Sequence, residues 1–343
     1  MPDLGKIDRE FFETHVRPRL GADRDDVRLG PTPGVDFGLI DIGGRAVAIA
    51  TDPVSILPAL GFERAGRFAL DVVLADVAVS GLPPSHLAVS FSLPPGMADD
   101  EFAAVWEGMH AEAADLGVSV VTGHTARYED CSFPWVGGAT ALAVGHREDV
   151  IRPDGARPGD DLVVTNGPAV ETTGLLTTLF GDKIDLDPDT LRTAQARLDE
   201  ASCVRDAMTA AAAGPVTAMH DATEGGLHGA FVEMATGAGV RFEIERDRVP
   251  IRPGVATTCA ALDIDPWTAT ASGSLVLTVD PEGTEATLAA LSDRGTSAAR
   301  IGHVTEGEGV FVDGERVEAP SVDASWAAYS ALSTGRSTNP SST

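Results

Sequence analysis

The stretch HDATEGGLHGAFVEMA, from His220 to Ala235, places two acids and a pair of glycines directly before a helical pattern. Apolar residues recur at helical spacing from Leu227 onward, and the preceding VTAMH is short and β-like. The stretch therefore predicts a strand, a turn and a helix. Such turns often hold functional groups over a rigid scaffold. Two interpretations of the acids are open here: they cap the helix and suit its dipole, or they bind a ligand.

The alternation of β-like runs with amphipathic helical stretches continues along the chain, which predicts an α/β fold. FGLID and RAVAIA flank Gly43-Gly44 and are typical of a hairpin. Helices are expected over residues 64–80, 99–116, 172–180 and 189–213, and from Leu227 and Gly283 onward. The segment IRPDGARPGDDLVVTNG is rich in proline, glycine and charge, which indicates a boundary. We therefore predict two domains, 1–155 and 156–318, followed by a polar tail without a core of its own, 319–343.

The charge balance of the 343 residues is strongly acidic, with 52 Asp and Glu against 25 Lys and Arg and a formal net charge of -27. Such a surface repels phosphate backbones and anionic lipid, so neither nucleic acid nor a membrane is an expected partner. The charges are interspersed along the chain, and lysine occurs only at Lys6 and Lys183. This pattern suits a solvated surface in high salt, where charges are screened. We expect a halophilic source organism.

The cysteines Cys131, Cys203 and Cys259 are widely spaced and odd in number, which favours neither a disulfide framework nor a structural zinc site. A nucleophilic pair of Cys131 with His124 or His220 has no local support, and an idle cysteine is the favoured interpretation. The start MPDLGKIDREFF does not have the pattern of a signal peptide, and no apolar run is long enough to cross a bilayer. A cytoplasmic protein is expected.

Several acids stand at predicted element ends beside glycine or another small residue: Asp36, Asp52, Asp76, Asp221 and Glu224. Magnesium takes oxygen ligands, commonly a few carboxylates together with nucleotide phosphates. Taken singly, each acid also has a structural interpretation. Asp52 fits a turn before Pro53, and Asp76 fits a solvated helix face. Only their joint pattern favours metal binding.

The segment VTGHTARY, Val121–Tyr128, is predicted to end a strand at Gly123. A glycine turn there would present backbone amides to phosphate, and Thr125 would add a hydroxyl. His124 is a candidate for metal binding or proton transfer. The alternative is a plain turn with an exposed histidine. The chain contains no GxxxxGK[ST] motif, which excludes a P-loop.

In their order, these motifs resemble the superfamily of aminoimidazole ribonucleotide synthetase, the PurM-like proteins. The superfamily also contains the hydrogenase-maturation factor HypE, thiamine-monophosphate kinase and selenophosphate synthetase. The resemblance covers about residues 36–317. It rests on GVD, TDP, DVVLADVAVSGLPP, GARPGDDLVVTNG and HDATEGGL. LDIDPWTATASGSLVLTV, Leu262–Val279, is most similar to the HypE branch.

The resemblance implies two α/β domains, of which the N-terminal one is β-rich and forms a homodimer. It also implies an enzyme that binds ATP and Mg²⁺ and activates a carbonyl or phosphate oxygen by phosphorylation. Carried onto this chain, the implied magnesium ligands are Asp36, Asp52, Asp76 and Asp221. The implied nucleotide-binding residues are Asp71, Gly123, Thr125, Asn166, Gly167, Gly225 and Gly226. Glu224 or His124 would transfer protons. The substrate would be a small molecule or a protein-bound thiol, and a maturation protein is a possible partner.

Three departures from the HypE pattern keep other functions open. The family's C-terminal cysteine is replaced by a serine- and threonine-rich end, its Gly-Asp-Thr motif is Gly123-His124-Thr125, and Glu224 stands where HypE relatives often carry arginine. The preferred hypothesis is a HypE-like ATP-dependent enzyme. A small-molecule kinase resembling thiamine-monophosphate kinase and a nucleotide-binding protein without catalysis are the alternatives.

Overall fold

The structure is a computed structural model that describes residue 7 and residues 9–334, and it divides into two compact units. We call Asp25–Ile151 the first unit. The second unit comprises the residues from Arg152 onward together with the described residues up to Arg24. The residues before Asp25 thus group with the second unit, although they belong to the first predicted domain. Residues 1–6 and 8 of that domain, and residues 335–343 of the predicted tail, lie outside the described residues.

The first unit consists of a six-stranded sheet and two helices and is preceded by a short helical segment. These elements are α1 (Arg9–Phe11), β1 (Val27–Leu29), β2 (Gly38–Ile42), β3 (Arg45–Ser55), α2 (Phe62–Ala78), β4 (Pro84–Leu93), α3 (Asp99–Leu116), β5 (Ser119–Arg127) and β6 (Trp135–Gly145).

The strand order of the first sheet is β1-β2-β3-β6-β4-β5, and only β4 and β5 pair in parallel. The Gly43-Gly44 turn joins β2 and β3, which confirms the predicted hairpin. Helix α2 buries Leu70, Val73 and Val77, because apolar residues recur along one face at helical spacing. The strand β5 forms one edge of this sheet, where only one of its sides is paired within the unit.

Among its described residues, the second unit has a seven-stranded sheet and seven helices of eight or more residues. Its elements are β7 (Asp161–Thr165), α4 (Val170–Phe180), α5 (Pro188–Gln195), α6 (Val204–Ala213), β8 (Val216–Asp221), α7 (Gly226–Ala238), β9 (Arg241–Ile244), α8 (Val255–Leu262), β10 (Leu275–Val279), α9 (Thr284–Asp293), β11 (Ala298–Thr305), β12 (Gly309–Val312), β13 (Glu315–Val317) and α10 (Ala324–Thr334).

The second sheet has the order β13-β12-β9-β11-β7-β10-β8, and its centre is buried on both faces. Helix α7 packs Leu227, Phe231 and Met234 against this sheet, which confirms the helical pattern of the opening stretch. A second cluster of apolar side chains joins α4, α8 and α10. In the part of the chain that the structure describes, no helix is long and apolar enough to cross a membrane.

Two predictions about the second unit are wrong. The single helix predicted over 189–213 is divided into α5, a 3₁₀ turn at Ala196–Glu200, and α6. The helix is interrupted at residues 201–203. The backbone of Gly273 packs closely against Ala201 there, and Arg252 binds the Glu200 carboxylate at 2.7 and 2.8 Å. Within the described part of the predicted polar tail, residues 324–334 form helix α10, which buries Ala328 and Leu332 one turn apart.

Candidate functional site

Three loops of the second unit meet at one edge of its sheet. Strands β7 and β8 end at this edge, and β10, which lies between them and runs antiparallel to both, begins there. The loops are tied to each other by hydrogen bonds. The Ala222 amide donates to Ser274 O at 2.9 Å, the Ala271 amide donates to Ala222 O at 3.0 Å, and Asn166 Nδ2 donates to Gly273 O at 2.9 Å. We call residues 165–172, 220–226 and 270–275 the β7–β8 edge.

Asp221 is the last residue of β8, and only 1% of it is exposed. Helix α7 begins five residues later, and its N-cap is Gly225, which makes no side-chain capping hydrogen bond. The capping interpretation of Asp221 is therefore wrong, and Glu224 precedes the helix instead of lying in its first turn. A buried carboxylate is costly unless donors or a cation compensate its charge, so burial is compatible with a cation-binding role of Asp221.

The turn between Asp221 and α7 is held by the C-terminal helix. Asp323, directly before α10, accepts hydrogen bonds through Oδ2 from the Gly225 amide at 2.7 Å and from Thr270 Oγ1 at 2.8 Å. Trp326 Nε1 donates to Glu224 Oε1 at 3.1 Å. The sequence analysis missed Asp323 and Trp326, because they lie about a hundred residues away in a segment that was predicted to lack structure. The catalytic role of Glu224 stays a prediction.

The glycines of the β7–β8 edge allow close backbone contacts. Gly226 has a φ of +60°, and a Cβ there would lie 2.7 Å from the carbonyl oxygens of Trp267 and Ala269. A Cβ on Gly167 would lie 1.7 Å from Pro250 O. Asn166 has a left-handed φ of 53°. The missing side chains thus make room for the protein's own carbonyl groups, and phosphate binding by Asn166, Gly167, Gly225 and Gly226 stays a prediction.

Glu171, in the first turn of α4, is a site residue that the sequence analysis missed. Burial raises the pKa of its carboxyl group, hydrogen bonds from Ser272 oppose this effect, and the charges of Asp323 and Asp221 raise the pKa further. Its Oε2 is shielded from solvent and has no hydrogen-bond partner among the described residues. The signal in the sequence was a glutamate directly after the tight turn NGPAV. A carboxyl group in this environment can hold and move a proton.

His220 is the second functional group that the sequence analysis did not assign to the site. Only 1% of it is exposed, and its two ring nitrogens face two carboxylates. Nε2 lies 2.8 Å from Glu233 Oε2 of helix α7, and Nδ1 lies 3.5 Å from Asp221 Oδ1. The feature of the sequence that could have indicated His220 is its position directly before Asp221.

The candidate acids of the first unit differ in burial: Asp71 is buried in α2, whereas Asp36, Asp52 and Asp76 are half-buried. Asp52 was predicted to end a strand, but β3 continues to Ser55 and Asp52 pairs with Ala139 of β6. The turn interpretation of Asp52 is therefore wrong as well. A half-buried carboxylate on a sheet face can still bind a cation with retained waters, as magnesium prefers.

The segment Gly123-His124-Thr125 is not a turn. It lies inside β5, where Gly123 pairs with Val89 and a Cβ would lie 2.6 Å from Val89 O. His124 is exposed, and its Nε2 lies 3.4 Å from the Tyr128 hydroxyl. Asp52, Ala139, Val89 and Gly123 form one row across four strands. Asp52 and Gly123 are thus three strand spacings apart, about 14 Å along the sheet.

The three cysteines are free thiols, and Cys203 and Cys259 are buried. Burial raises the pKa of the Cys259 thiol to about 12, so this thiol stays protonated at neutral pH. The thiolate is the reactive form of cysteine. Cys259 therefore lacks the properties of a nucleophile or a metal ligand, and Cys131 is the partly exposed cysteine of the chain.

The carboxylate groups of the candidate residues are of the type that binds a divalent cation. Carboxylate oxygens dominate the candidate set in the first unit, and magnesium prefers such ligands. In the second unit the buried carboxylate of Asp221 has an imidazole beside it. The helices α4 and α7 begin at the β7–β8 edge, where the Gly225 amide donates to the Asp323 carboxylate and the Thr172 amide donates to Thr270 O. Helix N-termini of this kind attract anions.

Comparison with known proteins shows which family the chain resembles. The chain matches the AIR synthase related protein, N-terminal domain, over residues 34–146 and the C-terminal domain of the same family over residues 157–315. Carbamoyl dehydratase HypE of Rhizobium leguminosarum bv. viciae is 30% identical over 285 residues, which cover 81% of this chain and 79% of the relative.

Two solved structures are similar over most of the chain. A crystal structure of Escherichia coli HypE has a TM-score of 0.69 and 26% identity and covers 92% of this chain and 96% of its own. The hydrogenase maturation protein HypE in complex with ATP has a TM-score of 0.67 and 24% identity and covers 90% and 91%. The chain therefore belongs to the AIR synthase related family, as a HypE-like member with the two-domain α/β fold of the PurM-like superfamily.

Proposed function

We propose that this chain is an ATP- and Mg²⁺-dependent enzyme that activates an oxygen of its substrate by phosphorylation, as HypE-like proteins do. The observation that carries the proposal is the buried carboxylate of Asp221 at the end of β8, directly before the Gly225-Gly226 turn into α7. Family membership supports it, since the similar Rhizobium protein is a carbamoyl dehydratase and a similar HypE was crystallised with ATP.

In this proposal Asp221 of the second unit, and Asp36, Asp52 and Asp76 of the first, are magnesium ligands. When bound, the ion neutralises charge on the nucleotide phosphates. The N-termini of α4 and α7 lie at the β7–β8 edge, and in this proposal their positive dipole ends attract the phosphates. Positioning and charge neutralisation then supply most of the acceleration, because phosphoryl transfer requires little covalent work from the protein.

Proton transfer is assigned to residues that differ in their surroundings. Glu224 and His124 remain proposed proton-transfer groups, the first bound to the Trp326 indole and the second on an exposed strand. Glu171 joins them, because its raised pKa and its position at the β7–β8 edge suit a group that holds a proton. Thr125 and Asp71 stay proposed nucleotide contacts.

Calorimetric titration of the chain with a non-hydrolysable ATP analogue and Mg²⁺, in molar KCl to suit its acidic surface, tests nucleotide binding. We expect saturable binding that D221N and D52N weaken about a hundredfold, since each removes a charged ligand. D265N is the matched control, because Asp265 is an exposed cap of the same unit. Absence of binding by the wild type would overturn the proposal, and normal binding by both site variants would overturn the ligand assignment.

The products separate the remaining hypotheses. ADP together with a dehydrated or cyclised product supports the activating enzyme, whereas a phosphorylated acceptor supports a kinase like thiamine-monophosphate kinase. Tight nucleotide binding without turnover of any candidate substrate supports a protein that has lost catalysis. Carbamoylated thiols and phosphate monoesters are the first substrates to assay, and mass spectrometry identifies each product.

We also propose that a second copy of the chain pairs with β5, so that the enzyme is a homodimer. This edge strand is exposed at nearly every position, and Val120 and Val121 expose 43% and 55% of their surface. A long exposed edge with apolar side chains is an unstable end for a sheet in a monomer. Sedimentation velocity is expected to show a dimer that V121K dissociates. I42K is the matched control, because Ile42 is an exposed apolar residue of the same sheet but not of β5.

A further inference from the structure

The ring of His220 lies between two carboxylates in the second unit. Its Nε2 is 2.8 Å from Glu233 Oε2, and its Nδ1 is 3.5 Å from Asp221 Oδ1. Glu233 lies on α7 and its side chain is 38% exposed, whereas His220 and Asp221 are almost completely buried. The two contacts of the ring are therefore in different environments, one near solvent and one inside the protein.

The chemistry of these contacts constrains the ring. An ionised carboxylate only accepts hydrogen bonds, so Nε2 donates its proton to Glu233. In the neutral ring, Nδ1 then carries a lone pair that faces the Asp221 carboxylate, another acceptor. A cation placed between Nδ1 and Asp221 Oδ1 is attracted by both atoms, and burial strengthens that attraction.

The spacing of the two atoms suits a shared ion. Two ligand atoms bound to one ion at about 2.1 Å lie about 3.0 Å apart in an octahedral site and about 3.4 Å apart in a tetrahedral one. The observed 3.5 Å is compatible with one ion between the side chains. The hydrogen bond of Nε2 to Glu233 is also the arrangement that orients metal-bound histidines, in which a carboxylate holds the far nitrogen.

We propose that His220 Nδ1 is a metal ligand beside Asp221, and that this nitrogen makes the second unit bind divalent transition ions such as Co²⁺, Mn²⁺ or Zn²⁺ more tightly than Mg²⁺. Imidazole is a good ligand for transition metals, whereas magnesium prefers an all-oxygen set. Glu233 is the positioning residue, which fixes the ring through its hydrogen bond. The inference rests on the proposed function, in which Asp221 binds the nucleotide's metal ion.

Titration of the nucleotide-free chain with Co²⁺, followed by the visible absorption of the bound ion, tests the proposal. We expect one saturable site, poor competition by Mg²⁺, and at least tenfold weaker Co²⁺ binding in H220A and E233Q. H303A is the matched control, since His303 is an exposed histidine of the same unit. Glu233 is half-exposed, so E233Q tests the arrangement even where H220A lowers the amount of folded protein.

Cobalt affinity and spectrum that are the same in wild type, H220A and E233Q would overturn the inference. So would nitrogen NMR of the zinc-saturated chain if it showed protons on both His220 nitrogens, because a proton would then occupy the place of the ion. The proposed function has a separate readout. If MgATP binding depends on Asp221 while Co²⁺ binding ignores His220, only the inference fails. If Co²⁺ binds through His220 but no nucleotide binds, only the proposed function fails.

Discussion

The β7–β8 edge and the strand β5 carry the same kind of sequence signal, glycine next to polar residues after an apolar run, but they are built in opposite ways. Residues 220–226 are mostly buried, and loops and a distant helix tie them down. Gly123, His124 and Thr125 are exposed and pair with β4, and the ring of His124 makes one long contact, 3.4 Å from the Tyr128 hydroxyl. A ligand-binding group needs a fixed position, which the buried and hydrogen-bonded turn of the first region provides.

The largest expected difference between the two regions is at the glycines. G226A places a Cβ 2.7 Å from two carbonyl oxygens at a positive φ, and we expect it to lower the free energy of unfolding by about 3 kcal/mol. G239A is the control, because Gly239 ends the same helix at a φ of +66° with open space around it. Its cost is expected to be about 1 kcal/mol, from backbone strain alone. Urea unfolding measures both, and equal costs would contradict the tight packing of the turn.

The second-largest effect is expected for the hydrogen bonds that Asp323 and Trp326 make with the turn before α7. D323A removes the acceptor for the Gly225 amide and for Thr270 Oγ1, and we expect a loss of about 2 kcal/mol in unfolding free energy. W326F removes the indole hydrogen bond to Glu224 and leaves a smaller ring, and its expected cost is about 1 kcal/mol. Thermal and urea unfolding of both variants give the comparison. A larger loss for W326F than for D323A would show that ring packing, and not the carboxylate, holds the turn.

A smaller effect at the β7–β8 edge depends on pH. Burial raises the pKa of Glu171, so the folded state holds the proton more tightly than the unfolded chain. This stabilisation is complete below the ordinary glutamate pKa and is lost as pH rises through the raised value. The neutral glutamine of E171Q does not ionise. The unfolding free energy of E171Q is therefore expected to rise relative to that of the wild type as pH increases from the ordinary glutamate pKa to the raised one. The exposed control E306Q should follow the wild-type pH curve, and parallel curves for E171Q would contradict the raised pKa.

The smallest effect is expected on β5. H124A removes an exposed ring whose contact with the Tyr128 hydroxyl is 3.4 Å long, and the unfolding free energy should change by less than about 0.5 kcal/mol. Chemical unfolding of the V121K background isolates the fold of the monomer from dimer formation. A loss above about 1 kcal/mol there would mean that His124 supports the strand itself, which would remove the contrast with the β7–β8 edge.

The elements that could be predicted were those with a clear local period. The helices at 99–116 and from Leu227 follow from apolar residues at helical spacing, and the β2–β3 hairpin follows from its glycine pair. Asp221 was found through its motif, and its burial then excluded the capping interpretation. Other features depend on contacts between distant residues. The break after Glu200 needs Gly273 and Arg252, and the turn before α7 needs Asp323, so no local window contains the information.

The sequence analysis also missed His220 and Glu171, because their partners lie in other elements of the fold. Each has a meaning only through a partner from another element, Glu233 on α7 for the histidine and Ser272 in the loop before β10 for the glutamate. For β5 the prediction was wrong for a different reason, because Gly123 was interpreted as the end of the strand. Glycine usually punctuates local structure, but Gly123 lies within a strand because the neighbouring backbone of Val89 comes too close for a side chain.

The bond between Gly225 and Asp323 also bears on the order in which the molecule can fold. The two residues are 98 positions apart, and Trp326 and Glu224 are 102 apart. During synthesis the chain emerges from its N-terminal end, and early segments fold before later ones exist. The sheet of the second unit can assemble once β13 has emerged. The turn that presents Asp221 reaches its final form only after Asp323 and Trp326 have left the ribosome, so the proposed metal-binding region matures later than the sheet of the second unit.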